Sequence, residues 1–352
     1  MSLLVTASGD TPQKRALPRW VGALAVLVLF VVAALTALCV GRFQIAPQKA
    51  IAILLARVSP LTADWSAMDE RIILLVRAPR VLLAALCGAG LAVSGAALQG
   101  VFRNPLVAPQ ILGVSPGAAF GGALAITLGF SGFALIGGAF AFGAVALVLV
   151  GALARVEGRS DTVMLVLTGV VIGALFAALV SLLQFLADPN SSLPAIVFWL
   201  MGSFSAATWA RLGVAAPGVL VGVAMLWLMR FRINVLSLGE EEARALGLPV
   251  ERDRWLVFGA VALIEGAAVA VAGVVGWVGL VVPHAARLLV GSDQRALLPV
   301  SAALGASYLL LVDSLARSAT AAEIPLGVIT ALIGAPVFAA LLRQTRRKEL
   351  AG

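Results

Sequence analysis

Residues 104–154 form a block of 51 residues without a single Asp, Glu, Lys or Arg. In water such a block has almost nothing with which to cover its surface. In a bilayer it must be helical, because hydrocarbon offers no partner to a backbone N–H or C=O and an α-helix pairs nearly all of them within itself. At about 1.5 Å per residue it is too long for one crossing of a core about 30 Å thick. It divides naturally at TLGFSG, residues 127–132. Uncharged runs at 20–40, 81–102, 162–187 and 212–229 repeat the constraint. Only 12% of the 352 residues are charged, about half the usual share of roughly 25% in a soluble domain. The expected fold is an all-α polytopic membrane protein, and its 36 glycines suit helices packed closely through small residues.

With the N-terminus inside, the apolar pattern gives ten spans: about 20–40, 78–101, 111–127, 133–154, 162–187, 209–229, 255–272, 276–290, 297–316 and 325–342. A short helix over 192–205 does not cross. Inside segments then hold 17 of the 25 Lys and Arg, which fits the positive-inside bias. Trp20, Trp227 and Trp255 fall at the inner interface and Trp209 at the outer, where amphipathic rings settle. The organisation is a basic tail (1–19), one transmembrane domain (20–342) and a second inside tail (343–352). The first span lacks a small-residue cleavage site and reads as retained. Leu38 before Cys39 argues against a lipoprotein box, and Cys39 and Cys87 lie in apolar runs as small hydrophobes.

The first outer loop runs against the charge bias, with Arg42, Lys49, Arg57, Arg71, Arg77 and Arg80. Snorkelling toward lipid phosphates is one explanation. Arginine forks for the carboxylates of an extracytoplasmic partner are the other, with Arg77, Arg80 and Arg317 as the candidate docking residues. Asp313, four residues before Arg317, is positioned to pair with it instead.

On the inside, LQGVFRNPLVAPQILGVSPGAAFG (98–121) reads as a tight turn between spans two and three. Proline ends the incoming helix, and Asn104 and Ser115 are offered as caps. This stretch, with RAPR at 77–80, LSLGEEEARALGLPVERDR (236–254), GWVGLVVPHAARLLVGSDQRALLP (276–299) and LLLVDSLARSATAAEIPLGVITALIGAPVF (309–338), resembles the FecCD family of permease subunits of type II ABC importers for vitamin B12, haem and iron-siderophore complexes. The resemblance covers nearly the whole chain after residue 70. It implies a homodimer of ten-span subunits with inverted repeats and a path along the dimer axis. It also implies two ATPase subunits beneath, a periplasmic binding protein above, and a place in the bacterial inner membrane with both termini cytoplasmic.

Residues 239–253 are the charge-dense internal segment: Glu240, Glu241, Glu242, Arg244, Glu251, Arg252, Asp253 and Arg254. A helix over 239–246 should end at Gly247, with Pro249 preventing its continuation. As a bare pattern this is a solvated loop. The resemblance makes it a coupling helix, with Glu240, Glu241, Glu242, Arg244, Ala245, Leu246 and Gly247 against the ATPase. The chain has no GxxxxGK[ST] phosphate loop, so ATP and Mg are expected on a partner and no cofactor on this chain. The single His284 cannot build a multi-histidine metal site and is expected to hold a helix end together. No cluster suggests chemistry on a substrate or contact with nucleic acid, so the chain is not expected to be an enzyme by itself.

The resemblance places the gate on the fifth span, with Thr162 at its inner end and Thr168, Ser181 and Gln184 higher up. Ser and Thr in such helices also bond their own backbone. Glu265 departs from the family pattern. It sits in the middle of the seventh span, where a carboxyl is costly unless paired, protonated or facing water. It is a packing element, a pore-facing group, or, in a different class of protein, the coupling carboxyl of an ion-driven secondary transporter. For substrate, the family favours an iron chelate (siderophore, haem) or cobalamin. The stretch SLLQFLADPNSSLPAIVFWLMGSF (181–204) resembles the molybdate and tungstate branch, which makes an oxyanion the alternative.

Overall fold

The structure, a computed structural model, describes residues 19–41, 43–58, 64–155, 162–320 and 322–351. Within helices the side chains of Arg19, Trp20, Thr162, Leu341, Leu342 and residues 344–351 lie outside the described residues, as do Arg42 and residues 156–161. Among the described residues there are only helices. In order they are α1 (Arg19–Cys39), α2 (Pro47–Leu55), α3 (Ala67–Arg71), α4 (Ala78–Val101), α5 (Val114–Thr127), α6 (Gly132–Ala154), α7 (Thr162–Leu186), α8 (Ser192–Leu200), α9 (Trp209–Leu228), α10 (Arg230–Leu236), α11 (Glu240–Ala245), α12 (Val250–Ala272), α13 (Val278–Val290), α14 (Gln294–Ser318) and α15 (Leu326–Ala351). Seven apolar helices are long enough to cross a membrane and three shorter ones, Val114–Thr127, Val278–Val290 and Leu326–Ala340, complete the ten spans the hydropathy pattern predicts. α8 is the expected helix that does not cross. α15 runs on to Ala351, so no break marks the boundary expected at 342.

The apolar windows of α4 and α12 are 78% and 72% buried, against 22% for those of α1, α7 and α9. α4 and α12 are therefore the centre of the bundle, and the others present apolar faces to lipid or to another subunit. Phe102 at the end of α4 stacks on Phe258 near the start of α12, with centroids 5.5 Å apart, so the two central helices run antiparallel. Each is followed by a short helix entered through a left-handed residue: Gly113 (φ 73°) before α5 and Trp277 (φ 69°) before α13. α4 packs along α14 and against α13, while α12 packs along α6 and against α5. Exchanging the halves exchanges these pairs, which is the inverted repeat.

Glycine permits the central contacts. A Cβ on Gly95 would lie 1.8 Å from the Gly279 carbonyl oxygen, and one on Gly88 2.2 Å from that of Gly305. Backbones approach this closely only where side chains are absent.

The outer end of α4 is irregular for a reason written in RAPR. A π-turn, Ile72–Arg77, joins α3 to α4, and the Ala78 N–H reaches back five residues to the Ile73 carbonyl. In that register the Leu74 carbonyl faces Pro79, which has no N–H. Trp209, at the start of α9, donates its indole N–H to Leu74 O at 2.9 Å and satisfies it.

Candidate functional site: the two membrane faces and the buried carboxyl

At the end of the bundle where α4 begins, Arg77, Arg80 and Arg317 converge, but their charged ends are turned inward. They are 4%, 7% and 8% exposed. Arg77 donates to the carbonyls of Leu38, Cys39 and Phe43, and Arg317 to that of Ala37. A helix C-terminus leaves its last carbonyls without partners and carries partial negative charge, so cations from the π-turn and α14 cap α1. Arg80 holds Asp313 through Nε and Nη2 at 3.0 and 2.8 Å, and Glu323 through Nη1 and Nη2 at 3.0 and 2.9 Å. Arg317 Nε lies 3.6 Å from Asp313, the pairing offered by their four-residue spacing. The guanidiniums are spent within the chain, and docking through them requires these partners to be exchanged.

At the opposite end, α11 spans Glu240–Ala245, one residue inside each bound of the expected 239–246, and stops at Gly247. Leu248 N–H bonds Ala243 O and Gly247 N–H bonds Arg244 O, closing the helix around Gly247 at φ 80°. Glu240 pairs with Arg244 at 2.6 Å and with the buried Arg254 at 3.1 Å, and Arg232 pairs with the buried Asp253 at 2.7 Å. The Glu240–Arg254 pair fixes α11 to the start of α12, and Arg232–Asp253 fixes α10 to it. Glu241, Glu242, Arg244, Ala245, Leu246 and Gly247 are left exposed, with Leu246 at 62%.

Sequence reasoning misses what holds the neighbouring turn. Gln99 donates to the carbonyls of Val107 and Leu280 at 3.3 and 3.4 Å and accepts from Arg287 at 2.9 Å, tying α4, the turn and α13 together. The signal was a lone amide at the end of an apolar run. Asn104 caps no helix: its side-chain oxygen accepts from Leu106 N–H at 2.9 Å within the turn, and the short helix that follows, Pro109–Leu112, has Ala108 at its N-cap without a side-chain bond. Nor does Ser115 cap. Gly113 occupies the N-cap of α5 without a side-chain bond, and the Ser115 hydroxyl donates to Glu265.

Glu265 is 1% exposed, between α12 and α5, and no ion pair to it occurs among the described residues. A carboxyl so placed joins the two halves of the repeat and faces no open path within the subunit. On α7, Thr168 is buried against the chain, Ser181 donates to its own Ala177 carbonyl at 3.1 Å, and Gln184 is half-buried. Thr162 begins α7, with its side chain outside the described residues. His284 is half-buried, and its Nδ1 has no hydrogen-bond partner among the described residues, so that nitrogen makes no helix-end bond.

Ten apolar helices in an inverted repeat, with a charged helix at one end and a buried cation cluster at the other, define a polytopic transport permease. The profile of the FecCD transport family matches residues 28–344, and the chain belongs to that family, the permeases of ABC importers. It is 44% identical over 320 residues to the molybdate import system permease protein MolB of Haemophilus influenzae, covering 91% of this chain and 94% of that protein. It is 43% identical to the cobalamin import system permease protein BtuC of Halobacterium salinarum, over 85% of this chain and 80% of that one. It is 41% identical to the hemin transport system permease protein HmuU of Yersinia pestis, over 78% and 84%. Among solved structures, an inward-facing conformation of a metal-chelate type ABC transporter superposes with a TM-score of 0.82 at 42% identity, covering 91% of this chain and 98% of that one.

Proposed function

We propose that the chain is the membrane-spanning subunit of a binding-protein-dependent ABC importer for a small tetrahedral oxyanion of the molybdate and tungstate class. The observation that carries the substrate is the similarity to MolB, which extends over 94% of that protein at 44% identity. It agrees with the resemblance of residues 181–204 to the oxyanion branch. The second reading is the one the sequence first favours, an iron chelate, haem or cobalamin. The names of the hemin and cobalamin relatives and of the metal-chelate type transporter support it.

Under either reading two copies of the chain form the path, α7 lines it with Thr162 at the inner gate, and both termini are cytoplasmic. The exposed face of α11 seats in a separate ATPase subunit, where ATP and Mg are used, and the outer end receives a binding protein.

Proteoliposomes holding the permease with its ATPase and binding protein decide the matter. ATP-driven accumulation of labelled molybdate, with none of cobalamin or haem, is the expected result. The reverse pattern establishes the chelate reading. Accumulation driven by an ion gradient without ATP overturns both.

A further inference from the structure

A groove of about 510 Å³ lies at the end of the bundle opposite α11, walled by α1, α2, the π-turn, α4 and the start of α9. Its volume is within the roughly 300–1,000 Å³ range of small-molecule sites. The lining includes Leu54, Leu74, Leu75, Leu82 and Trp209, with Arg57 the one charged group on its rim among the described residues. α2 belongs to no span, yet it and the turn after it expose Ile51 (40%), Leu54 (36%), Leu55 (49%) and Val58 (84%). A short helix that leaves its apolar side chains uncovered on several sides lies in the plane of the membrane surface. This sets the groove at the boundary between headgroups and acyl chains, where the Trp209 ring also belongs.

Charge identifies the occupant. The segment from Gly41 to Arg77 carries Arg42, Lys49, Arg57, Arg71 and Arg77 against Asp64, Asp69 and Glu70, on the face where the positive-inside bias disfavours cations. The Arg77 guanidinium is used inside the chain. Arg57 is 63% exposed along its side chain and, among the described residues, holds only the similarly open Glu70, at 3.0 Å. An exposed pair of this kind contributes little and leaves most of the guanidinium's donors free.

We propose that this groove is a phospholipid site. One acyl chain of a bilayer lipid lies between α2 and α4, and its anionic headgroup is held by Arg57 in competition with Glu70. The excess cations of this loop are thus matched by lipid phosphate, and bound lipid braces α2 against the π-turn that carries Arg77. The site is independent of the imported substrate.

The test is native mass spectrometry of the purified protein after exchange into phosphatidylglycerol or phosphatidylcholine. The wild-type chain should retain one phosphatidylglycerol and little phosphatidylcholine. Arg57→Gln should retain roughly fivefold less phosphatidylglycerol, the effect of one basic residue at an anionic surface at about 1 kcal/mol. Glu70→Gln, which frees the guanidinium, should retain more. Both side chains are exposed, so neither substitution disturbs the core. Equal retention of the two lipids, an unchanged Arg57→Gln, or a loss with Glu70→Gln overturns the proposal.

Discussion

Arg80 and Asp313, 233 residues apart in the chain, face each other across the packed surfaces of α4 and α14, with Nη2 2.8 Å and Nε 3.0 Å from the carboxylate. Both are buried, at 7% and 1% exposure, so neither charge can be left alone. Removing one partner of a buried pair costs about 3–5 kcal/mol because the other remains desolvated, whereas replacing both by apolar groups is far milder. Asp313→Ala should therefore lower the melting temperature in detergent much more than Arg80→Met with Asp313→Leu. Additive losses would show that the two residues act separately.

The glycine contacts predict a sharp positional contrast. Gly95→Val should abolish folded yield, since its Cβ would overlap the Gly279 carbonyl at 1.8 Å, whereas a Cβ on Gly137 meets nothing within 4 Å. Gly137→Ala should be within about 0.5 kcal/mol of wild type or slightly stabilising. Size-exclusion chromatography of the two variants reads the difference.

Glu265→Gln keeps an acceptor for the Ser115 hydroxyl while removing any ionisable proton. Uptake in proteoliposomes should stay within about twofold of wild type, because a packing carboxyl needs shape and a hydrogen bond, not charge. Loss of uptake together with loss of a pH dependence would revive the ion-coupled reading.

Asp293, in the turn before α14, is held well below the usual carboxylate range, first by the Arg295 side chain, then by the Arg295 backbone N–H and the Asn234 amide. A depressed folded-state value stabilises at every pH above the unfolded value of about 3.9, and the contribution is lost as pH falls below it. The melting temperature of the wild type should thus fall more between pH 5 and pH 3 than that of Asp293→Asn, with little difference in their slopes above pH 6. Parallel slopes throughout would remove Asp293 from the acid response.

Gly247 stands at φ 80° where α11 stops. A β-branched residue there costs about 1–2 kcal/mol locally and should let α11 fray without touching the membrane core. Gly247→Val should leave the permease folded and weaken its co-purification with the ATPase. Full retention of the partner would detach α11 from coupling.

The ten spans were legible in the sequence because hydrocarbon solvent tolerates little else. Uncharged runs of bilayer length must be helices, and α11 with its glycine stop could be bounded from local chemistry alone. Side-chain fate was not local. Arg317 meets Asp313 through their four-residue spacing on α14, whereas Arg80, at a span end in RAPR, reaches the same carboxylate only because α14 packs on α4.

Ser115 shows the same limit. From its neighbours it is a helix cap, and only the crossing of α5 by α12 gives it Glu265 instead. Sequence determined which segments enter the membrane, since that depends on each segment's own transfer from water. Tertiary structure decided which polar groups meet, since a buried charge or hydroxyl takes whatever partner the packed helices place within about 3 Å, however far away in the chain.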